Sequence, residues 1–268
     1  MLKPHVNSKS SLNVVIIGGS KGFGNALVRG FSNRGHNVLY TTRLAPCIKT
    51  TSVGIVNNIA NKHDIVKLES AINHHMHDGV DVWINNAAIS DSYTMFQDTT
   101  IDKIDEIIST NLKGTIMATH CAIKIHAQSK PRSNLRMCHV FNVVGAGSNG
   151  SSTPLFSLYG ATKAGVQQFT CTLKAELKKE KNIGLHLLSP GMMPTELLVK
   201  NASPLQLKMF NVLCEDPDIV AGFVINEITN DIIPNGNLDK DVYYMTPLRI
   251  MGNLATFYKR SNRFFRQE

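Results

Sequence analysis

The sequence is poor in cysteine, has a single tryptophan and contains no long hydrophobic run. Its five cysteines are odd in number and no two form a Cys-x-x-Cys pair, which favours reduced intracellular thiols over a disulfide framework. The apolar stretches, such as Val14–Ile17, have the length of strands and fall far short of the roughly 20 residues that cross a membrane. The first residues also lack the apolar core of a secretory signal.

Acidic residues are fewer than basic ones. The chain carries 28 Lys and Arg against 20 Asp and Glu, a formal net charge of +8. Such a balance is typical of proteins that bind nucleic acid, an anionic membrane or a polyanionic cofactor. The cations do not form one long run, so we expect no nucleic-acid partner. A hydrophobic content of 43% over 268 residues indicates one folded domain rather than a disordered chain.

Short Val- and Ile-rich segments alternate with segments of helical periodicity. The predicted strands are Asn13–Ile17, Asn37–Thr41, Val53–Val56, Val80–Ile84, Arg136–Val144 and Gly184–Leu188. The predicted helices are Ile65–Met76, Ile101–His126 and Tyr159–Lys179. This order is typical of an α/β protein with a Rossmann-type, doubly wound parallel sheet in a single domain. Because only Leu44–Ser52 separates the second and third strands, we expect a shortened second crossover without a full helix.

The pattern changes at Glu196. We expect residues 1–195 to form a dinucleotide-binding and catalytic Rossmann unit, and residues 196–268 to form a substrate lid and helical tail of the same domain. The tail mixes aromatic and aliphatic residues with five cations, which are Arg249, Lys259, Arg260, Arg263 and Arg266. It is either a basic amphipathic helix in peripheral contact with an anionic membrane or a helix packed on the domain with a solvated basic edge.

A glycine-rich loop follows the first strand and precedes a helix. Glycines at this spacing let the backbone approach a pyrophosphate, at which the helix points its N-terminus. The residues predicted to line this site are Gly18, Ser20, Lys21, Gly22, Phe23 and Gly24. The second strand ends in Thr41-Thr42-Arg43 without the carboxylate that would bind the ribose of NAD. Arg43 and Lys21 suit a 2′-phosphate instead, so we expect NADP(H); the alternatives are solvated cations and a turn without a ligand.

Tyr159 and Lys163 stand four residues apart at the start of a predicted helix, so their side chains share one face. A free tyrosine, with a pKa of about 10, exchanges protons poorly at neutral pH. A neighbouring ammonium stabilises the phenolate and lowers that pKa. A pair of this kind is common by chance, but its distance from the glycine-rich loop makes it specific. We therefore predict that Tyr159 is the proton donor and that Lys163 tunes it.

The order and spacing of these motifs resemble the short-chain dehydrogenase/reductase family over nearly the whole chain. Asn85-Asn86-Ala87, Asn111 and Pro190-Gly191 followed by Thr195 extend the match. The resemblance implies that Asn111 supports a water bound to the lysine, and that the chain forms a homo-oligomer. It also implies further cofactor contacts. These are Tyr159 and Lys163 at the ribose, Asn58, Asn86 and Ala87 beside the adenosine, and Pro190, Gly191, Met193 and Thr195 at the nicotinamide.

The sequence departs from the family's pattern in the catalytic serine. That serine, which polarises the substrate carbonyl, would fall at Gly145 or Ala146, and neither carries a hydroxyl. Ser148 is the nearest hydroxyl. We expect either that Ser148 substitutes as a catalytic residue or that the carbonyl oxygen relies on Tyr159 and a water. The loss of one such donor costs about two to three powers of ten in rate.

The segment in which the family's catalytic serine is missing resembles a narrower group within the family. Residues 141–165 (FNVVGAGSNGSSTPLFSLYGATKAG) and 188–198 (LSPGMMPTELL) are similar to plant and algal chlorophyll b reductases, which reduce a formyl group to hydroxymethyl with NADPH. Ala88 and Val144 depart from that group, which has glycine and often aspartate there. The resemblance implies a tetrapyrrole pigment as substrate. The alternatives are another bulky apolar carbonyl, such as a quinone, steroid or acyl ketone, and a non-catalytic NADP-binding scaffold.

The sequence also bears on a metal site and on the compartment of the protein. His74 and His77 can share a helix face, but no carboxylate or thiol completes a ligand set, so we expect no metal. The expected location is the cytoplasm, or the plastid stroma if the source is photosynthetic and a presequence has been removed. The expected partner is a small-molecule carbonyl substrate.

Overall fold

A seven-stranded parallel sheet forms the centre of the structure. The structure is a computed structural model that describes residues 11–46, 51–91, 93–129 and 137–265. The strands are β1 Asn13–Ile17, β2 Asn37–Thr42, β3 Val53–Val56, β4 Val82–Asn85, β5 Cys138–Val143, β6 Ile183–Ser189 and β7 Val242–Tyr243. Their order is β3-β2-β1-β4-β5-β6-β7, which confirms the predicted doubly wound fold. The order reverses between β1 and β4, where sheets of this kind bind ligands.

Helices cover the two faces of the sheet. They are α1 Gly22–Ser32, α2 Lys62–His75, α3 Ile101–Ile108, α4 Gly114–Gln128, α5 Ser157–Glu176, α6 Glu196–Val199, α7 Pro204–Leu213, α8 Pro217–Glu227, α9 Ile233–Asn235, α10 Pro247–Ala255 and α11 Phe257–Arg260. None of the helices in the described ranges has the length and apolarity needed to cross a bilayer. The predicted helix 101–126 is interrupted by a five-residue π-helical turn, Ser109–Lys113, a feature that is frequent at functional sites.

Two hydrophobic clusters pack on opposite faces of the sheet. Alternate residues of a strand point to opposite faces, so Val14 and Ile16 join one cluster while Val15 and Ile17 join the other. The first cluster packs against α1 and α8, and the second packs against α2 and α4. Burial on both sides is the physical reason why β1 reads as an uninterrupted apolar run.

The connection between β2 and β3 is short. Residues 43–46 and 51–52 contain bends and no helix, and they lead into a parallel pairing of Leu39 with Val53. The predicted shortening of this crossover is therefore met in its described part. Residues 47–50 lie outside the described residues.

The seventh strand corrects the prediction that only helices and loops follow Glu196. Val242 pairs with Leu188 and Tyr243 with Ser189 in parallel. Two residues are too few to show the alternation that marks a strand, so only pairing with β6 defines this one. The strand β4 also begins at Val82, two residues later than predicted.

Candidate functional site

The glycine-rich loop lies at the carboxyl end of β1 and is held by the neighbouring strand ends. Gly18 has a φ of +82°, and a Cβ at this residue would lie 2.7 Å from the Cα of Ala87. Asn86 donates its side-chain amide to the Gly18 carbonyl over 2.7 Å. The Gly18 N–H donates to the Thr41 hydroxyl over 2.9 Å. A side chain at Gly18 would therefore break the contact between the ends of β1 and β4.

Helix α1 begins directly at this loop. A Cβ at Gly24 would lie 2.0 Å from the Gly18 carbonyl oxygen, so only glycine lets the helix approach so closely. Lys21 is the N-cap and its side chain makes no capping hydrogen bond. The first N–H groups and the positive end of the helix dipole thus suit a phosphate. The side chain of Phe23 is buried in the core, so its predicted cofactor contact, which stays a prediction, would be made by its backbone.

A cavity of about 690 Å³ opens beside the carboxyl ends of β2 and β3. Arg43 and Asn58, both predicted at the adenosine, line it. Arg43 also lies 3.4 Å from Glu106, whose carboxylate bonds Lys103 over 2.7 Å. The Lys103 hydrogen bond, with a smaller contribution from Arg43, holds the pKa of Glu106 below its ordinary value. The lining of the cavity includes the cations Arg43, Lys62 and Lys113 and the carboxylates Asp102, Asp105 and Glu106. Arg43 suits a 2′-phosphate, and Glu106 beside it opposes one.

The second predicted phosphate-binding cation, Lys21, pairs with Glu196 at the start of α6. The two charged atoms are 3.0 Å apart, and the side chains are 69% and 71% exposed. An exposed pair of this kind contributes about 0–1 kcal/mol, so an incoming phosphate can displace the carboxylate. The sequence pattern gave no signal for either Glu106 or Glu196, because both depend on elements far apart in the chain.

The segment after β6 brings the predicted nicotinamide residues next to the loop. The Thr195 methyl carbon would lie 3.0 Å from a Cβ at Gly22. The Thr195 N–H donates to the Met193 carbonyl over 2.7 Å, while the Met193 side chain is buried. Pro190 is buried, and Gly191 has a φ of +78° against Met245. The segment 190–195 thus lies beside the glycine-rich loop and the start of α1.

Tyr159 and Lys163 lie on α5 at the carboxyl end of β5. Lys163 is only 1% exposed, donates to the Val143 carbonyl over 2.8 Å and lies 5.6 Å from the centre of the Tyr159 ring. Burial lowers the pKa of Lys163 to about 8 and raises the pKa of Tyr159 to about 12. That the ammonium, together with the positive charge of an oxidised nicotinamide, lowers the tyrosine pKa stays a prediction. The ammonium bonds a backbone carbonyl, and burial of the phenol dominates.

Asn111 is fully buried in the π-helical turn and is tied to the loop after β4. Its side chain accepts from the Ile89 N–H and donates to the Ile89 carbonyl, each over 2.8 Å. It also donates to the Thr162 hydroxyl over 3.2 Å, which in turn donates to the Tyr159 carbonyl over 2.8 Å. Asn111 thus fixes the turn of α5 that carries the tyrosine. Thr162 had no signal in the sequence, since threonine is common at such a position.

Gly145 faces the Tyr159 hydroxyl. A Cβ at Gly145 would lie 2.6 Å from that oxygen, so any side chain there would displace the tyrosine. Whether Gly145 or Ala146 takes the place of the family's serine stays open, and neither carries a hydroxyl. Ser148 lies in the following turn, where its N–H donates to the Gly145 carbonyl over 3.1 Å. Among the described residues no hydrogen bond joins Ser148 to Tyr159, so a catalytic role for Ser148 stays a prediction.

An aromatic row flanks Tyr159 and was not predicted. Tyr93 contacts Phe156 edge-to-face at 4.9 Å, and Phe156 contacts Tyr159 at 6.2 Å. Tyr93 and Leu155 have φ values of +63° and +65°. Non-glycine residues in this region are strained, and strain of this kind clusters at ligand sites. The loops after β4 and β5 thus present apolar rings beside the tyrosine, which suits a flat apolar substrate.

Comparison with known sequences gives matches over most of the chain. The profile of the short chain dehydrogenase family matches residues 12–206. The chloroplastic chlorophyll(ide) b reductase NOL of Oryza sativa subsp. japonica is 34% identical over 278 residues, covering 96% of this chain and 78% of that protein. The probable chloroplastic chlorophyll(ide) b reductase NYC1 of Arabidopsis thaliana is 33% identical over 94% of this chain, which spans about half (54%) of that relative.

Solved structures share the architecture at lower sequence identity. A 3-oxoacyl-[acyl-carrier protein] reductase from Brucella melitensis, in complex with NAD, superposes with a TM-score of 0.74 at 18% identity, over 87% of this chain and 96% of that one. A short chain dehydrogenase from Bacillus anthracis gives a TM-score of 0.73 at 21% identity, over 89% of this chain and 96% of that one. These identities show the fold alone. Because the family profile spans most of the sequence, this chain belongs to the short-chain dehydrogenase/reductase family of oxidoreductases.

Proposed function

We propose that this chain is an NADPH-dependent reductase that converts the formyl group of chlorophyll b or chlorophyllide b to hydroxymethyl. The observation that carries the proposal is the segment that lacks the serine, in which Gly145 faces the Tyr159 hydroxyl. This segment resembles chlorophyll b reductases, and relatives of that name match nearly the whole chain. Both relatives are named as chloroplastic, so we propose the plastid stroma rather than the cytoplasm as its compartment.

The residues around the groove fit a dinucleotide phosphate. The loop 18–24 and the α1 N-terminus would hold the pyrophosphate, Arg43 and Lys21 the 2′-phosphate, and residues 190–195 the nicotinamide. NADPH, when bound, supplies a hydride to the carbonyl carbon. Tyr159, which is protonated at neutral pH, then donates its proton to the carbonyl oxygen; because burial raises the pKa of this phenol, the phenolate that forms needs a neighbouring cation.

Lys163 and Asn111 support that proton transfer. The Lys163 ammonium, within 5.6 Å of the ring centre, stabilises the phenolate that remains after proton donation. Asn111 holds the first turn of α5 in place through Thr162. In the proposed mechanism Asn111 also supports a water that returns the proton to the tyrosine.

Two other functions remain as alternatives. The first is reduction of another bulky apolar carbonyl, such as a quinone, steroid or acyl ketone, which the aromatic row beside Tyr159 also suits. The second is a nucleotide-binding scaffold without catalysis. The burial of Lys163 argues against the scaffold, because a buried ammonium carries a desolvation cost that folding alone does not require.

The absorption spectrum of the pigment tests the proposed function. Chlorophyllide b incubated with the protein and NADPH is expected to lose the bands of the formyl pigment as the hydroxymethyl product forms. A quinone and a steroid ketone serve as comparison substrates, with NADPH oxidation followed at the same time. Turnover of either one with an unchanged pigment spectrum would support the first alternative, and no oxidation with any carbonyl would support the scaffold.

The choice between NADPH and NADH is expected to depend on opposite effects of Arg43 and Glu106. Arg43→Ala removes a charge-assisted bond to the 2′-phosphate and is expected to weaken NADPH binding about tenfold or more. Glu106→Gln removes a negative charge beside Arg43 and is expected to tighten NADPH binding several-fold, on the order of 1 kcal/mol. Titration of both cofactors by fluorescence checks this. NADH affinity is the internal control, and equal changes for NADH and NADPH would contradict the assignment.

Substitution of Gly145 is expected to reduce turnover. Gly145→Ala places a methyl where the Tyr159 hydroxyl lies and is expected to lower kcat about tenfold, because misplacement of a catalytic group on this scale is costly. Gly145→Ser causes the same displacement but supplies a hydroxyl to the carbonyl oxygen, so its loss should be smaller. Steady-state kinetics with an NADPH titration distinguish the effects. An alanine variant as active as the parent chain would show that the contact is unimportant.

A further inference from the structure

The outer helical layer, formed by α7, α10 and α11, presents apolar side chains to solvent. The exposed residues with large apolar side chains are Leu205 and Met209 of α7, Leu248, Ile250, Met251 and Leu254 of α10, and Phe257 and Tyr258 of α11. Leu248 is 79% exposed and Met251 66%, and α10 has no buried residue. An ordinary surface helix turns its apolar stripe inward; α7 does so with Phe210, whereas α10 leaves all its large apolar side chains exposed.

A buried polar side chain anchors the layer from beneath. Asn211 of α7 is fully buried and donates to the carbonyls of Ser261 and Phe265, each over 2.7 Å. Its side-chain oxygen accepts from the N–H groups of Phe264 and Phe265, each over 2.8 Å. The segment after α11 is therefore fixed against α7 through its backbone. The outward apolar side chains belong to an anchored segment rather than to a loose tail.

Two of the tail's cations also point inward, which corrects the prediction of a solvated basic edge. Arg260 donates to the Val212 and Cys214 carbonyls over 2.8 and 3.0 Å. Arg263 pairs with Glu215, a buried carboxylate that Arg260 also approaches to 3.4 Å. These bonds occupy the C-terminal end of α7. These two arginines of the tail therefore bond to the end of α7, while the apolar side chains of the tail remain exposed to solvent.

The charge around the apolar face is positive. Residues 242–267 contain no Asp or Glu, and neither does 197–213. The exposed cations of these stretches include Lys200, Lys208, Arg249 and Lys259. Arg249 is stacked on the Tyr244 ring at 4.1 Å. An apolar face bordered by exposed cations complements a surface that is apolar below and anionic above.

We propose that the outer helical layer docks on an anionic lipid surface, with Leu248, Met251 and Phe257 entering the acyl boundary and Lys208 and Lys259 near the headgroups. Aromatic residues such as Phe257 and Tyr258 favour this boundary. The layer also adjoins the candidate site, because the Glu215 N–H at the end of α7 donates to the Met192 carbonyl over 3.0 Å. Docking would bring α7, which adjoins the residues proposed to hold the nicotinamide, against the lipid.

Vesicle sedimentation of the whole chain tests the docking surface. We expect binding to vesicles of phosphatidylcholine mixed with phosphatidylglycerol, weakened by added salt, and little binding to phosphatidylcholine alone. Leu248→Asp and Met251→Asp are each expected to weaken binding about tenfold. Ile101→Asp and Val66→Asp are matched controls, because these residues are 78% and 65% exposed on other helices. The controls are expected to bind as the parent chain does.

The assay reads binding and not turnover, so its result does not depend on the proposed substrate. Equal binding of all four variants, or equal binding to both vesicle types, would overturn the proposal. Light scattering without lipid measures the oligomeric state and tests whether the face is instead an interface between copies of this chain. If Leu248→Asp separates a stable oligomer into monomers and the parent chain ignores vesicles, the face is an interface between copies of this chain and lipid docking is wrong.

Discussion

Replacement of Tyr159 by Phe is expected to lower the rate of carbonyl reduction by about three powers of ten while NADPH binding changes little. A positioned general acid contributes about 10²–10⁴ in rate. The upper part of that range applies because neither Gly145 nor Ala146, where the family's serine is expected, carries a hydroxyl. No second hydroxyl among the described residues is bonded to the tyrosine, so the phenol has to supply most of the carbonyl activation.

Single-turnover kinetics with a saturating carbonyl substrate measure this effect, and fluorescence titration measures NADPH affinity. Tyr93→Phe is the matched control, since it removes a phenol hydroxyl from the same aromatic row but leaves Tyr159 intact. A Tyr159→Phe variant that keeps more than about a tenth of the parent rate would exclude the tyrosine as the essential acid.

Acid is expected to destabilise the protein through two buried histidines. Burial lowers the pKa of His139 to about 4 and that of His186 to about 3, from an ordinary 6.5. Between pH 6.5 and 4 the unfolded chain binds protons that the folded chain does not. The stabilisation is therefore complete above pH 6.5 and is lost as the pH falls towards 4. His139 alone contributes a loss of about 3 kcal/mol over this interval.

The hydrogen bonds of His139 and His186 explain why both imidazoles stay neutral. His186 Nδ1 lies 2.7 Å from the Lys240 carbonyl, which only accepts, so Nδ1 carries the proton and Nε2 is an acceptor. His139 Nδ1 lies 3.0 Å from that Nε2 and must therefore donate. The remaining His139 Nε2 is buried and has no partner among the described residues. A second proton on His139, at Nε2, would have no acceptor among the described residues. A second proton on His186, at Nε2, would point at the N–H of His139.

Urea denaturation at a series of pH values measures the loss, and side-chain NMR of the two imidazoles reports their protonation directly. His139→Leu is expected to reduce the dependence of the unfolding free energy on pH between 6.5 and 4, even if it lowers overall stability. A solvent-exposed histidine, His75→Leu, is the control. Protonation of both rings at about pH 6 in the folded protein would contradict the assigned tautomers.

The sequence alone determined the fold class, and it was enough to single out the Tyr159–Lys163 pair for the proposed catalytic role. Repeated strand and helix patterns predict the parallel sheet because each element has its own hydrophobic period. The glycine-rich loop and the Tyr159–Lys163 pair each lie within a few consecutive residues, so their spacing can be read directly from the sequence. The same local character explains the misses: β7 is only two residues long, and the π-helical turn at Asn111 leaves helical periodicity almost unchanged.

Contacts between distant parts of the chain were decided by the tertiary structure. Only packing brings Glu106 to Arg43 and Glu196 to Lys21, and only the approach of α5 to the end of β5 makes Gly145 the residue that faces the tyrosine. The basic tail was visible in the sequence, but its orientation was not. Composition records which side chains are present, whereas the carbonyls and the carboxylate at the end of α7 determine that Arg260 and Arg263 point inward and leave the apolar side chains outside.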